Sequence, residues 1–189
     1  MRYGASHKQA TRQRIIQSAG RRLKSDGIDA SGVAVLMSDA GLTNGAFYAH
    51  FESKDDLVAN VIADQLSQQG AHFDELLSQD DGLERLLEEY LSPEMREDLA
   101  SGCPSAALLD EVARTSVAGR SAYTAGATRI IDHLAEHLSA RHQETSRAKA
   151  IALFGMLVGT LQLARAVDDA ALSDEVLRSG LVEARELVL

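Results

Sequence analysis

SGVAVLMSDAGLTNGAFYAHF, residues 31–51, decides the fold. Val33, Leu36 and Ala40 lie at helical spacing, Gly41 interrupts them, and Ala46, Phe47 and Phe51 form a second apolar set just beyond. The pattern predicts a short helix capped by Ser31 and ended by Gly41, then another capped by Thr43. Gly41 lets the chain reverse sharply, Leu36 and Phe47 can pack the two helices together, and Leu42 fills the corner, which is a helix-turn-helix arrangement. The second helix is then presented outward. Its free face, Asn44, Gly45, Tyr48 and Ala49, is small or polar, so its backbone can approach the floor of a DNA major groove.

Upstream, Ser6 and Gln9 have the spacing of a capping box and open a helix whose Ile15, Ile16, Ala19 and Leu23 share a face. Ser25-Asp26-Gly27 should close it. Downstream, Ser53 with Asp56 reads as the start of a helix through Leu57, Val58, Val61, Ile62 and Leu66 towards Leu77, with Gly70 its weak point. Asp81 with Glu84 and Ser92-Pro93 open further helices, and Gly102-Cys103-Pro104 breaks the pattern. Leu108, Leu109 and Val112 mark the next, and Ala127, Ile130, Ile131, Leu134 and Leu138 a longer one. The last two are Ser146 to about Val167 and Ser173 to the end. No strand alternation appears, and with 2 prolines, no tryptophan and 4% aromatic residues the expectation is all-α. A three-helix head, residues 1–54, would be followed by a helical body, residues 55–189.

The net charge of −9 over 189 residues taken alone argues against nucleic acid, but it is unevenly spread. Residues 1–54 carry +4 and residues 55–189 carry −13. Attraction to a polyanion follows the local potential of the approaching face, so a basic head suffices. The single cysteine, Cys103, excludes an internal disulfide and a multi-cysteine zinc site, and no metal or cofactor is expected. The N-terminus lacks the apolar core of a signal peptide, and the most apolar later stretch, Ile151 to Ala166, carries Gln162 and Arg165. A cytoplasmic protein without a membrane span is the expectation.

Ala40-Gly41-Leu42-Thr43-Asn44-Gly45-Ala46-Phe47-Tyr48-Ala49-His50-Phe51, followed by Ser53-Lys54-Asp55-Asp56-Leu57, resembles the DNA-binding signature of the tetracycline-repressor (TetR) family. The resemblance implies that Thr43 is the N-cap and a phosphate or base contact, that Asn44 reads a base edge beside Gly45, and that Tyr48 and His50 touch phosphates. Lys54 would hold a phosphate together with a helix N-terminus. The alternatives are packing inside the head for Tyr48, a satisfied surface histidine for His50 and a simple turn residue for Asn44. Met37 departs from the alanine common at that place, which affects helix crossing rather than the motif.

In the body the resemblance extends only to length and helix order. Ala152, Gly155 and Gly159, with Met156 and Leu163 around them, suit a helix-bundle dimer together with Leu177, Leu181 and Ala184; packing within the chain is the alternative. Phe73, Leu76, Tyr90, Met95, Cys103, Leu108, Val112, Tyr123, Ile130 and Phe154 form the pool for an apolar effector chamber, each being equally suited to plain core. The implied function is a ligand-responsive homodimeric repressor that binds a pseudo-palindromic double-stranded operator. A constitutive helix-turn-helix protein without a small-molecule switch is the alternative. A third reading, an enzyme using Cys103 with His133 or His137 as base, lacks an orienting group or oxyanion motif. Cys103 itself stands before Pro104 at a helix break, and some members of the family respond to electrophiles or oxidants through a cysteine; a buried inert thiol is the other reading.

Overall fold

The computed structural model describes residues 2–139 and 146–188, with side chains from Ser6 onward; Met1 and Leu189, the expected ends of the head and of the last helix, lie outside the described residues. In chain order it holds α1 (Arg2–Asp26), α2 (Val33–Asp39), a 3₁₀ segment (Asn44–Ala49), α3 (Lys54–Leu77), α4 (Gly82–Tyr90), α5 (Pro93–Glu97), α6 (Pro104–Val112), α7 (Val117–Ser139), α8 (Ser146–Ala166) and α9 (Ala170–Val188). No strand occurs among the described residues, as the all-α reading requires.

Local signals explain most boundaries. Gly27 and Gly41 have φ of +88° and +69°, left-handed values that glycine adopts without strain and that end α1 and the α2 turn. Ser53 Oγ accepts the Asp56 N–H at 3.1 Å, and the Asp56 carboxylate accepts the Glu52 N–H, also at 3.1 Å, so α3 starts on a reciprocal cap. Ser92 Oγ likewise accepts the Met95 N–H, with Pro93 in the first turn of α5. Gly70 does not interrupt α3, whose Phe73 and Leu76 stay buried beyond it.

Several expected starts are corrected. α1 begins at Arg2, so Ser6 lies inside it; no proline or glycine pair stands upstream to stop the helix. Gly32, not Ser31, is the N-cap of α2, because the buried Ser31 hydroxyl donates back to the Gly27 carbonyl at 2.7 Å. Thr43 occupies the N-cap position of the segment after the turn, yet makes no side-chain cap bond, and that segment is a six-residue 3₁₀ helix rather than an α-helix. Asp81 does take the expected N-cap position of α4, in a left-handed conformation and without a side-chain cap bond. α7, Val117–Ser139, contains the whole expected stripe from Ala127 to Leu138. α9 starts at Ala170, where Asp169 accepts the Leu172 N–H, while the Ser173 hydroxyl donates to the Ala164 carbonyl.

The head core gathers Ile15, Ile16, Ala19, Leu23, Leu36, Met37, Phe47 and Phe51, with Leu57 and Val58 of α3 closing it. Met37, the departure from alanine, is fully buried there. In the body α3 packs along α7, and α8 lies between α7 and α9. Two glycines permit these approaches: a Cβ on Gly126 would lie 2.6 Å from Leu66, and one on Gly180 2.4 Å from Thr160. The core is continuous from head to body, since α3 contributes to both.

Candidate nucleic-acid interface and body cleft

The turn and 3₁₀ segment project the residues that the sequence singles out. Thr43, Asn44, Gly45 and Ala49 are exposed, and nothing lies within 4 Å of a Cβ placed on Gly45. Phe47 is 1% exposed and anchors the segment; Tyr48, edge-on to it at 5.2 Å, is 77% exposed. Tyr48 therefore points away from the head core, where a phenol is placed to meet a surface rather than to fill one. His50 is half-buried, and its Nδ1 is buried without a hydrogen-bond partner among the described residues. Burial, then the nearby Lys8 and Arg12, push its pKa down, so its neutral form dominates in the isolated protein. Arg12 also lies over the Phe51 ring at 4.8 Å, which fixes a cation beside the recognition segment.

Not all of the head's positive charge faces outward. Arg22 grips Asp39 of α2 through two nitrogens, at 2.6 and 3.0 Å, and also Asp26 at 2.9 Å. Lys24 is buried. Lys54 donates to the Ile28 carbonyl at 2.6 Å, tying the start of α3 to the loop after α1. Lys54 thus has a structural partner at the position where the resemblance implies a phosphate contact.

In the body, α1, α3, α4, α5 and the loop into α6 enclose a cleft of about 250 Å³. Phe73, Tyr90, Met95 and Cys103 line it, together with Leu76, from the expected pool. Leu108, Val112, Tyr123, Ile130 and Phe154 do not: Leu108, Val112, Ile130 and Phe154 are buried core, and Tyr123 donates to Ser105 at 3.0 Å. Cys103 is the N-cap of α6 and is buried. Its Sγ accepts the Tyr90 hydroxyl at 2.8 Å, the Gln69 amide at 3.1 Å and the Ala106 N–H at 3.4 Å. Burial, followed by the charge and hydrogen bond of Cys103, pushes the Tyr90 pKa up, so the phenol keeps its proton. His133 is bonded instead to Asp74 at 2.6 Å, and neither it nor His137 lines the cleft, so the structure does not assemble the Cys–His pair of the enzyme reading.

The lining also contains polar groups that the sequence reading missed: Lys24, Gln65, Gln68, Gln69, His72 and Glu89. His72 and Glu89 pair at 2.6 Å across α3 and α4. Lys24 is the surprising one, since it comes from the head helix and is 6% exposed. One signal was available: Ile16, Gly20 and Lys24 recur every four residues and so form one ridge of α1, and a Cβ on Gly20 would lie 2.7 Å from Gln65.

On α8 the expected dimer residues divide. Ala152, Gly155, Gly159 and Leu163 are exposed together with Ile151, Met156 is half-buried, and nothing lies within 4 Å of a Cβ on either glycine. On α9 Leu181 is half-buried, whereas Leu177 and Ala184 are buried within the chain, where they hold α9 to its neighbours. α8 is the one helix among the described residues long and apolar enough by composition to cross a membrane, and its buried face packs against α7 and α9.

A short helix, a glycine turn and an outward recognition segment on a basic head, joined to an all-helical body, define a helix-turn-helix DNA-binding regulator of transcription. Residues 15–61, the head from the middle of α1 to the start of α3, match the family model for bacterial regulatory proteins of the tetR family. Solved structures share the fold over nearly the whole length. E. coli NemR in its reduced form superposes with a TM-score of 0.82 at 21% identity, covering 95% of this chain and 97% of that one. A TetR-family regulator from Agrobacterium tumefaciens gives 0.77 at 21% identity, covering 93% and 98%. FadR from Bacillus subtilis in complex with stearoyl-CoA gives 0.66 at 18%, covering 89% and 97%. A comparison with curated protein sequences finds no match.

Proposed function

We propose that the chain is a cytoplasmic, homodimeric repressor whose heads, residues 1–54, bind a pseudo-palindromic operator and whose bodies, residues 55–189, release it when a small molecule fills the cleft. The observation that carries this reading is the lining of the cleft, which combines Lys24 of α1 with residues of α3 to α6. An occupant would touch head and body at once, so its binding energy can differ between two head positions, the requirement for any allosteric ligand. A structural relative holds stearoyl-CoA, which supports effector control for a body of this fold. The exposed apolar face of α8, with its two open glycines, fits a second copy better than solvent, and two heads are needed to address half-sites about 34–36 Å apart. Regulation by binding needs no catalytic group.

The test is fluorescence anisotropy of a labelled operator, selected from random DNA with the purified protein, while small molecules are titrated. Release by a ligand that also raises the melting temperature of the free protein is the expected result. If operator binding is tight but insensitive to a broad library, the constitutive alternative replaces this reading. Cys103 makes a reactive effector a specific variant of it, because three hydrogen-bond donors already converge on the thiol in the cleft wall.

A further inference from the structure

Lys24 is 94% buried by its 6% exposure, and its ammonium donates to one acceptor, the Gly102 carbonyl, at 3.0 Å. No carboxylate pairs with it among the described residues. A lysine ammonium has three N–H donors, and a buried charge is stable only when paired or fully hydrogen-bonded. Two donors are thus left over in a side chain that lines the cleft.

The rest of the lining has the same preference. The N-terminus of α6, at Cys103 and Pro104, faces the cleft with the positive end of its dipole. Arg165 lies behind Gly102, bonded to the carbonyls of Met95 and Arg96, with its Nη1 buried and unpartnered among the described residues. Glu89 is the one carboxylate in the wall among the described residues, and His72 engages it. Phe73, Leu76, Leu86 and Met95 supply the apolar part of the lining. The volume of about 250 Å³ falls below the roughly 300–1,000 Å³ of clefts that take drug-sized ligands, so the occupant is small.

We infer that the cleft is built for a small organic anion, whose acidic group pairs with the ammonium of Lys24 while its apolar body lies against Phe73, Leu76, Leu86 and Met95. The inference rests on the effector reading above and names the class of effector. It also supplies a route to the head. Lys24 belongs to α1, and its present bond to Gly102 joins residues 78 apart in sequence. An anion that takes the two remaining donors ties the same ammonium to itself beside Gly102 and so changes how α1 is held against the body.

The experiment pairs acids with their neutral amides: benzoate with benzamide, 4-hydroxybenzoate with 4-hydroxybenzamide, octanoate with octanamide. Binding to the full-length protein is read by calorimetry, and operator release by anisotropy. At least one acid is expected to bind about tenfold or more tightly than its amide and to lower operator affinity by about fivefold or more. Lys24→Met, which keeps the length of the stem without the charge, should abolish the difference between acid and amide, and Lys24→Gln serves if the methionine variant does not fold. Acids and amides that bind equally, an acid preference that survives in the variant, or no acid binding at all would each overturn the anion inference. Should amides or other neutral ligands still release the operator, the effector reading stands without it. If no ligand of any charge does so, both fall.

Discussion

The carboxylate of Glu111, on α6, accepts the backbone N–H of Ile28 at 2.7 Å, and that of Asp29 at 3.0 Å. The far end of a helix that begins at the cleft therefore holds the turn between α1 and α2. Gly27 lies so close that a Cβ there would stand 2.7 Å from the same carboxylate. α6 thus bridges cleft and head directly, alongside α3, whose buried residues enter both the head core and the body core.

Glu111→Gln keeps the shape and one acceptor oxygen but removes the charge, and is expected to cost about 1–2 kcal/mol of stability. Its more informative effect is on coupling. Effector binding should persist while the ligand-induced fall in operator affinity shrinks. Unfolding curves together with anisotropy with and without ligand separate the two; an unchanged fall would leave α3 as the sole link. Gly27→Ala should destabilise by more than the glutamine variant, since it adds left-handed strain to the clash.

At the recognition segment, Asn44→Ala is expected to relax discrimination at one operator position by about 1–3 kcal/mol, whereas Tyr48→Phe weakens all sequences alike. Neither should move the melting temperature, because both side chains lie on the surface. Lys54→Ala is different. It removes the bond to the Ile28 carbonyl as well as a positive charge, so it should lower both operator affinity and stability. Competition binding against single-base operator variants, run beside thermal unfolding, distinguishes these three patterns.

The head was legible because its signals are local. Gly27 and Gly41 close turns whatever packs around them, and Phe47 and Tyr48 face inward and outward by their places on a six-residue segment. The cleft was not legible for the converse reason. Aromatic and aliphatic residues at helical spacing mark burial, and they do not separate a cavity wall from solid core; Phe73 and Phe154 look alike in sequence but only Phe73 lines the cleft. What distinguishes the wall is its polar set, Lys24, Gln69, His72 and Glu89, and each of these reads as surface when met singly. Ser6 misled because a capping residue stops a helix only where the chain before it has no reason to be helical.

For the proposed dimer, Gly155→Arg and Gly159→Arg are expected to leave the protomer folded, since both positions open to solvent, and to give monomers that bind the operator weakly. Gly180→Ala is the control. Its methyl group would press on Thr160 inside the chain, so it should lower stability by about 1–3 kcal/mol as an overpacked contact. Sedimentation velocity and thermal unfolding read the contrast. Arginine variants that remain dimeric would move the interface away from this face of α8.

Burial of Lys24 has a consequence for stability against pH. Desolvation pushes its pKa down from 10.5 to about 8; Cys103 and Asp98 favour the charge, while Arg165 and Arg21 oppose it. The sign is the reverse of that for a paired lysine. Below about pH 8 both folded and unfolded chains hold the proton, and the folded state bears the full cost of the buried charge. Between about 8 and 10.5 the folded chain has released a proton that the unfolded chain retains, so stability rises with pH through that window. Burial also pushes the pKa values of Tyr90 and Tyr123 up, and those groups reduce stability once pH passes the ordinary tyrosine value near 10, so the effect of Lys24 is best isolated below it. Denaturant unfolding from about pH 7.5 to 9.5 should show a gain of about 1–2 kcal/mol in the wild type relative to Lys24→Met, which starts more stable at the lower pH and lacks this contribution to the slope. Bound anion should flatten the wild-type rise, because a partner for the ammonium lifts its pKa back towards the ordinary value. Parallel curves for wild type and Lys24→Met would mean that the lysine carries no buried charge.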